Sequence, residues 1–160
     1  MARQLRPVEL EFVENAPIRL VFSAPVSAVP SAVYATLAED VEHLPEWFTA
    51  VTAARSTEGG AGREVRLKGG TVFTERILAK EPDTRYAYRI EQTNAPGLRA
   101  LLEEWRITPT ATGSRIQWTF AADGPAPLRL ALLLGRGGLG RAFRDAVRNL
   151  DRRLAGPGTP

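Results

Sequence analysis

From residue 51 to 122, apolar and polar residues alternate in short runs separated by turn signals at Glu58 to Gly62, Gly69-Gly70, Glu81 to Thr84, Thr93 to Gly97 and Pro109 to Gly113. That spacing predicts several strands in meander order. Successive side chains on a strand point to opposite faces. Alternation therefore assigns an inward set: Val65 and Leu67; Phe73, Glu75 and Ile77; Tyr86, Tyr88 and Ile90; Leu101, Glu103, Trp105 and Ile107; Ile116, Trp118 and Phe120. The alternates Arg85, Arg89, Glu91, Glu104, Arg106, Arg115 and Gln117 are expected to face water.

Ahead of this region, VELEF (8–12) alternates like a strand, and after the Asn15-Ala16-Pro17 turn signal IRLVFSAPVSA (18–28) reads as a second. Pro25 within it predicts an edge strand or a bulge. Pro30 and Ser31 then introduce Val33, Leu37, Val41 and Leu44 at helical spacing, interrupted by Pro45, which predicts one or two short helices over 31–49. The chain closes with LRLALLLGRGGLGRAFRDAVRNLDRRL, where Leu139, Phe143, Val147, Leu150 and Leu154 form an amphipathic stripe. Glycines 135, 137, 138 and 140 predict a break near 135–138. A sheet with one apolar face and a helix with one apolar stripe cover each other. The expected organisation is a single α+β domain over 1–154, with 1–16 an N-terminal extension and 155–160 a disordered tail.

LLEEWRI (101–107) raises a chemical question, because Glu103 shares a face with Leu101, Trp105 and Ile107. A carboxylate among apolar neighbours costs several kcal/mol unless it is partnered, protonated or wet. If Ile107 pairs with Ser114, Glu103 faces Trp118; if Ile107 pairs with Ile116, it faces Phe120 and Trp105 faces Trp118. For Glu75, a two-residue turn at Gly69-Gly70 would put it on the face of Glu64, whereas a three-residue loop with a glycine bulge restores its match with Val65 and Leu67. The three-residue loop is the expectation. Pairing Ile77 with Tyr86 would then set Glu75 opposite Tyr88, whose hydroxyl could donate to it.

Composition narrows the options. The 160 residues include no cysteine and one histidine, His43, so disulfides, thiolate nucleophiles, histidine-based metal sites and a Ser-His-Asp arrangement lack material. GGAGRE and GRGGLG lack the strand-lysine-serine context of a phosphate loop, so no cofactor is expected. No apolar run approaches the roughly 18 residues of a membrane span, and the early charges of MARQLRPVELEF exclude a signal peptide, which together predict a cytoplasmic protein. The net charge of +3 is uneven: residues 125–160 hold seven arginines against Asp145 and Asp151. This basic segment is expected to be a solvated helix face without specific nucleic-acid binding, open to a weak contact with an anionic surface.

Four stretches together resemble the START-like (SRPBCC) superfamily, particularly its polyketide cyclase/dehydrase-like branch: VPSAVYATLAEDVEHLPEWF, GAGREVRLKGG, TERILAKEPDTRYAYRI and WRITPTATGSRIQWTF. The resemblance covers residues 18–154. It implies a helix-grip fold, in which a curved antiparallel sheet wraps the C-terminal helix and leaves a hydrophobic cavity. In related plant hormone receptors of this fold the glutamate of a Thr-Glu-Arg segment faces that cavity, which here is Thr74-Glu75-Arg76, and the strand matching 101–107 also lines it. Their gate-loop motif is absent between Thr93 and Arg99, and Leu101 stands where many relatives have tyrosine, so hormone-receptor behaviour is not implied.

The resulting site expectation is a ligand cavity formed by Val65, Leu67, Phe73, Glu75, Tyr88, Ile90, Glu103, Trp105, Trp118 and Phe143. Three roles compete for the glutamates: orienting a ligand or holding water, pairing at the rim with an arginine of the last helix, and acid/base catalysis. The preferred function is binding or transport of a small hydrophobic molecule such as a lipid, isoprenoid or polyketide-like compound. The alternative is a polyketide cyclase or dehydratase using a carboxylate and Tyr88 as acid and base. The inward set above contains no arginine or histidine to stabilise an enolate, which weighs against the enzyme.

Overall fold

A computed structural model describes residues 1–156. In chain order the elements are β1 (Arg3–Gln4), α1 (Phe12–Asn15), β2 (Ile18–Val26) and α2 (Pro30–Tyr34), the last continuing through a widened π turn, Ala35–Glu39, into a 3-10 segment, Val41–Glu46. There follow β3 (Val51–Thr57), β4 (Gly62–Leu67), β5 (Val72–Glu81), β6 (Arg85–Thr93), β7 (Ala100–Thr110) and β8 (Gly113–Asp123), then α3 (Ala126–Leu134) and α4 (Arg136–Ala155). The strands form one eight-stranded antiparallel sheet in the order β2-β8-β7-β6-β5-β4-β3, with β1 pairing on β6. β2 and β3 are its two ends. Pro25 lies in β2, and β3 is irregular between Val51 and Ala53.

The inward set expected from alternation packs into one core between the sheet and the helices. α4 contributes Phe143, Val147 and Leu150, each at most 3% exposed, from the stripe at helical spacing. Burying side chains of this size contributes roughly 1.5–3 kcal/mol each. Gly140 lets α4 cross β2 closely, since a Cβ there would lie 3.1 Å from the Phe22 ring. The expected break falls at Gly135, between α3 and α4. α4 runs through Ala155, the first residue of the stretch expected to be a disordered tail, and residues 157–160 of that stretch lie outside the described residues.

Four expectations need correction. Residues 8–12 are not a strand: Val8 and, from α1, Val13 instead pack on Ala100 and Leu102 on the convex face of the sheet. Val8, Phe12 and Val13 fit a turn of helix as well as VELEF fits a strand, and the convex face needs a cover. Glu104 faces that side but is 2% exposed rather than solvated, because Arg85 and Arg106 both bind its carboxylate, at 2.6 and 2.9 Å. In the β5–β6 hairpin, Ile77 lies opposite Tyr88, not Tyr86. Leu78 is an extra residue there, bulged between Ile77 and Ala79 and packed against the convex cluster. Finally, the inward set was incomplete, because Arg63 belongs to it, as the cavity shows below.

Two registers follow the expectation. Lys68, Gly69 and Gly70 form a three-residue loop closed by the Leu67 N–H donating to the Thr71 carbonyl at 2.8 Å. Both glycines have positive φ, 91° and 93°, which glycine adopts without a Cβ penalty. In the β7–β8 hairpin the second of the two open registers holds: Ile107 faces Ile116, Trp105 faces Trp118 and Glu103 faces Phe120.

Candidate ligand cavity

A cavity of about 310 Å³ opens between the concave face of the sheet, the first turns of α4 and the 3-10 segment with the residues after it. Val65, Leu67, Phe73, Glu75, Tyr88, Glu103, Trp105 and Trp118 line it. Two of the expected residues do not. Phe143 is stacked behind Trp118, with ring centroids 6.0 Å apart, and Ile90, 1% exposed opposite Glu75, is packed into the core.

The sequence reading missed residues that complete the wall. Leu44, Trp47 and Phe48 come down from the helical side, and Leu139 and Ala142 come from α4. Trp47 and Phe48 follow Pro45, where helical periodicity stops, so spacing gave no face for them. Arg63 was legible: it lies two residues before Val65 on the same face of β4. It lines the cavity and is 5% exposed.

The polar side chains of the wall form one group. Arg63 lies directly opposite Glu75 across β4–β5, and its guanidinium Nε donates to the Glu75 carboxylate. Gly62 permits the close approach, since a Cβ there would come within 2.8 Å of the Glu75 carbonyl oxygen. The guanidinium carbon lies 4.2 Å from the Tyr88 ring centroid and 5.5 Å from that of Tyr86, so the cation rests against two adjacent rings. Tyr88 lies opposite Glu103 across β6–β7, hydrogen-bonds with it, and accepts from Trp105 Nε1 at 3.2 Å. The hydroxyl expected beside Glu75 thus serves Glu103. Neither glutamate pairs with an arginine of α4.

Burial sets the protonation of this group. It pushes the Glu103 carboxyl up to about 7, helped by the charge on Glu75 and opposed by the Tyr88 hydrogen bond and by Arg63. Burial also pushes Glu75 up, and the Arg63 ion pair opposes it. Burial raises Tyr88 well above the usual phenol range, Glu103 adding to the effect. Burial works against the Arg63 charge too, but Glu75 and the two tyrosines hold it firmly protonated. At neutral pH the group can therefore hold or give up one proton at Glu103, beside a fixed cation.

Elsewhere, His43 bonds Asp40 at 2.5 Å on an exposed turn. Among the described residues no cluster of three or more His, Cys, Asp and Glu could hold a metal ion, and no helix is long and apolar enough to cross a membrane.

A curved antiparallel sheet gripping a long C-terminal helix around a lined cavity defines a START-like helix-grip protein. The chain belongs to the polyketide cyclase / dehydrase and lipid transport family, whose model matches residues 17–155. It is 32% identical over 150 residues to the uncharacterized protein Rv2574 of Mycobacterium tuberculosis, covering 91% of this chain and 89% of that one. Among solved structures, a START superfamily protein from Mycobacterium smegmatis superposes with a TM-score of 0.67 at 12% identity, covering 86% of this chain and 97% of the other. DynU16, from the dynemicin biosynthetic locus, superposes with a TM-score of 0.60 at 22% identity, covering 86% of this chain and 46% of its own.

Proposed function

We propose that the protein binds and carries a small, largely apolar molecule in the cavity, without transforming it. The observation that carries this reading is the wall itself: an aromatic and aliphatic lining around about 310 Å³, with its ionisable groups gathered and mostly bonded to one another. That volume falls at the lower end of small-molecule sites. The family to which the chain belongs includes lipid transport, which supports a carrier. A cytoplasmic location belongs to the same proposal. So does a weak contact with an anionic surface through Arg129, Arg136, Arg141 and Arg144, exposed arginines with no carboxylate partner among the described residues.

A second reading has two observations in its favour. Arg63 faces the cavity and Glu103 titrates near neutrality, which meets part of the objection to a cyclase or dehydratase. Against it, the Arg63 charge is already paired with Glu75, so it is not free to hold a developing enolate.

Native mass spectrometry of the purified protein tests the proposal by looking for a co-purified molecule. Once a ligand is in hand, Glu103→Gln separates the readings. A carrier keeps its fold and loses roughly 1–3 kcal/mol of affinity, as expected when a hydrogen bond to the ligand is weakened. An enzyme loses turnover and keeps its substrate affinity. Unchanged affinity in both Glu103→Gln and Glu75→Gln would sink the carrier reading.

A further inference from the structure

We propose that the cavity selects neutral ligands bearing a hydroxyl group and discriminates against carboxylates. The inference rests on the carrier reading above and specifies the head group it takes.

Charge is the first consideration. The ionisable groups on the wall are Arg63, Glu75, Glu103, Tyr86 and Tyr88. Arg63, the one cation among them, bonds Glu75, and the Tyr88 and Tyr86 rings cover it. An incoming carboxylate would find no free counter-charge and would meet two glutamates, so its desolvation goes uncompensated. Many apolar cargoes end in a carboxylate, and this wall offers that group no free cation.

Unused acceptor capacity on the wall supplies the second consideration. Tyr88 gives the Glu103 carboxyl one hydrogen bond, while a carboxylate can accept several, so acceptor capacity remains. A hydroxyl group can donate to it. An ether has no hydrogen to donate, and a carboxylate adds a repelled charge.

The test uses three probes of equal chain size: 1-decanol, nonyl methyl ether and decanoate, titrated at pH 8. All three tryptophans of the chain line the cavity, so intrinsic fluorescence reports occupancy directly. An alcohol enters any apolar cavity more readily than an anion does, so decanol over decanoate alone decides nothing. Two comparisons decide. The wild-type protein should bind decanol about tenfold more tightly than the ether, the size of one hydrogen bond, and Glu103→Leu should abolish that preference. The same variant should bind decanoate more tightly than wild type does, by at least about threefold, as one repelling charge disappears. Glu103→Gln, which keeps the shape, should show the decanoate gain even if the leucine variant fails to fold.

Wild-type protein that binds the ether as tightly as the alcohol overturns the proposal. So does decanoate affinity unmoved by removing the Glu103 charge. Binding of none of the three probes would instead overturn the carrier reading, and this inference with it.

Discussion

Replacing Glu103 by glutamine should make the protein more stable, and increasingly so as the pH rises. In the folded chain the Glu103 carboxyl keeps its proton up to about pH 7, whereas the ordinary value is 4.5. The sign follows from proton counting. Between those two values the folded state holds a proton that the unfolded state has released, so stability falls as the pH rises through the window. Below it the stability is fully present; above it the loss is complete, and the difference between 4.5 and about 7 corresponds to about 3 kcal/mol. Glutamine cannot ionise and escapes this loss. Urea denaturation of both proteins from pH 4.5 to 8.5 should give curves that nearly coincide at the acid end and separate by about 3 kcal/mol at the alkaline end. In thermal melts at pH 8.5 the same difference is roughly 6–12 °C for a chain of this size. Subtracting one curve from the other removes the groups common to both, Glu75 included. A stability difference that stays flat across the range would refute the reasoning, since it would mean that Glu103 is as easily ionised inside the fold as outside it.

Arg63→Met should destabilise the fold by about 3–5 kcal/mol, because it strands the buried Glu75 carboxylate; the double variant with Glu75→Gln should recover much of that, and a double no better than the single would refute the pairing. The basic face should bind phosphatidylserine-containing vesicles weakly, at about 1 kcal/mol per arginine near the surface, and release them in salt. In vesicle co-sedimentation, Arg141→Glu with Arg144→Glu should abolish the binding, and vesicle binding that neither salt nor these changes affect would argue against a charge-driven contact.

Much of the architecture was legible because period-two alternation is unambiguous when one face of a strand is buried. Tyr86, Tyr88, Trp105 and Trp118 could be placed from spacing alone, and the α4 stripe likewise. The site was legible where it lay on strands. Glu103 stood out because a carboxylate broke an apolar face, and the same logic carried two residues further back along β4 would have delivered Arg63. What spacing could not supply was anything decided by three-dimensional accommodation. The β5–β6 loop takes three residues, Pro82 to Thr84, and Leu78 bulges toward the convex cluster, so Glu75 lies opposite Ile90 while Tyr88 lies opposite Glu103 on the next strand. Glu104 is hidden by two arginines that the pattern assigns to solvent. Trp47 and Phe48 enter the cavity from a segment with no periodic face.

The sheet does not close on itself, so β2 and β3 each keep an edge with no neighbouring strand among the described residues. Such edges are templates on which a second copy can add, strand upon strand, towards aggregates. Each edge here carries its own interruption. Pro25 leaves β2 one N–H short along the line where another chain would zip on, and the irregularity between Val51 and Ala53 breaks the repeat of β3 near its start. A sheet left open at both ends is thereby kept from growing into a fibre, and the proline that first marks an edge strand in the sequence is also a guard against self-association.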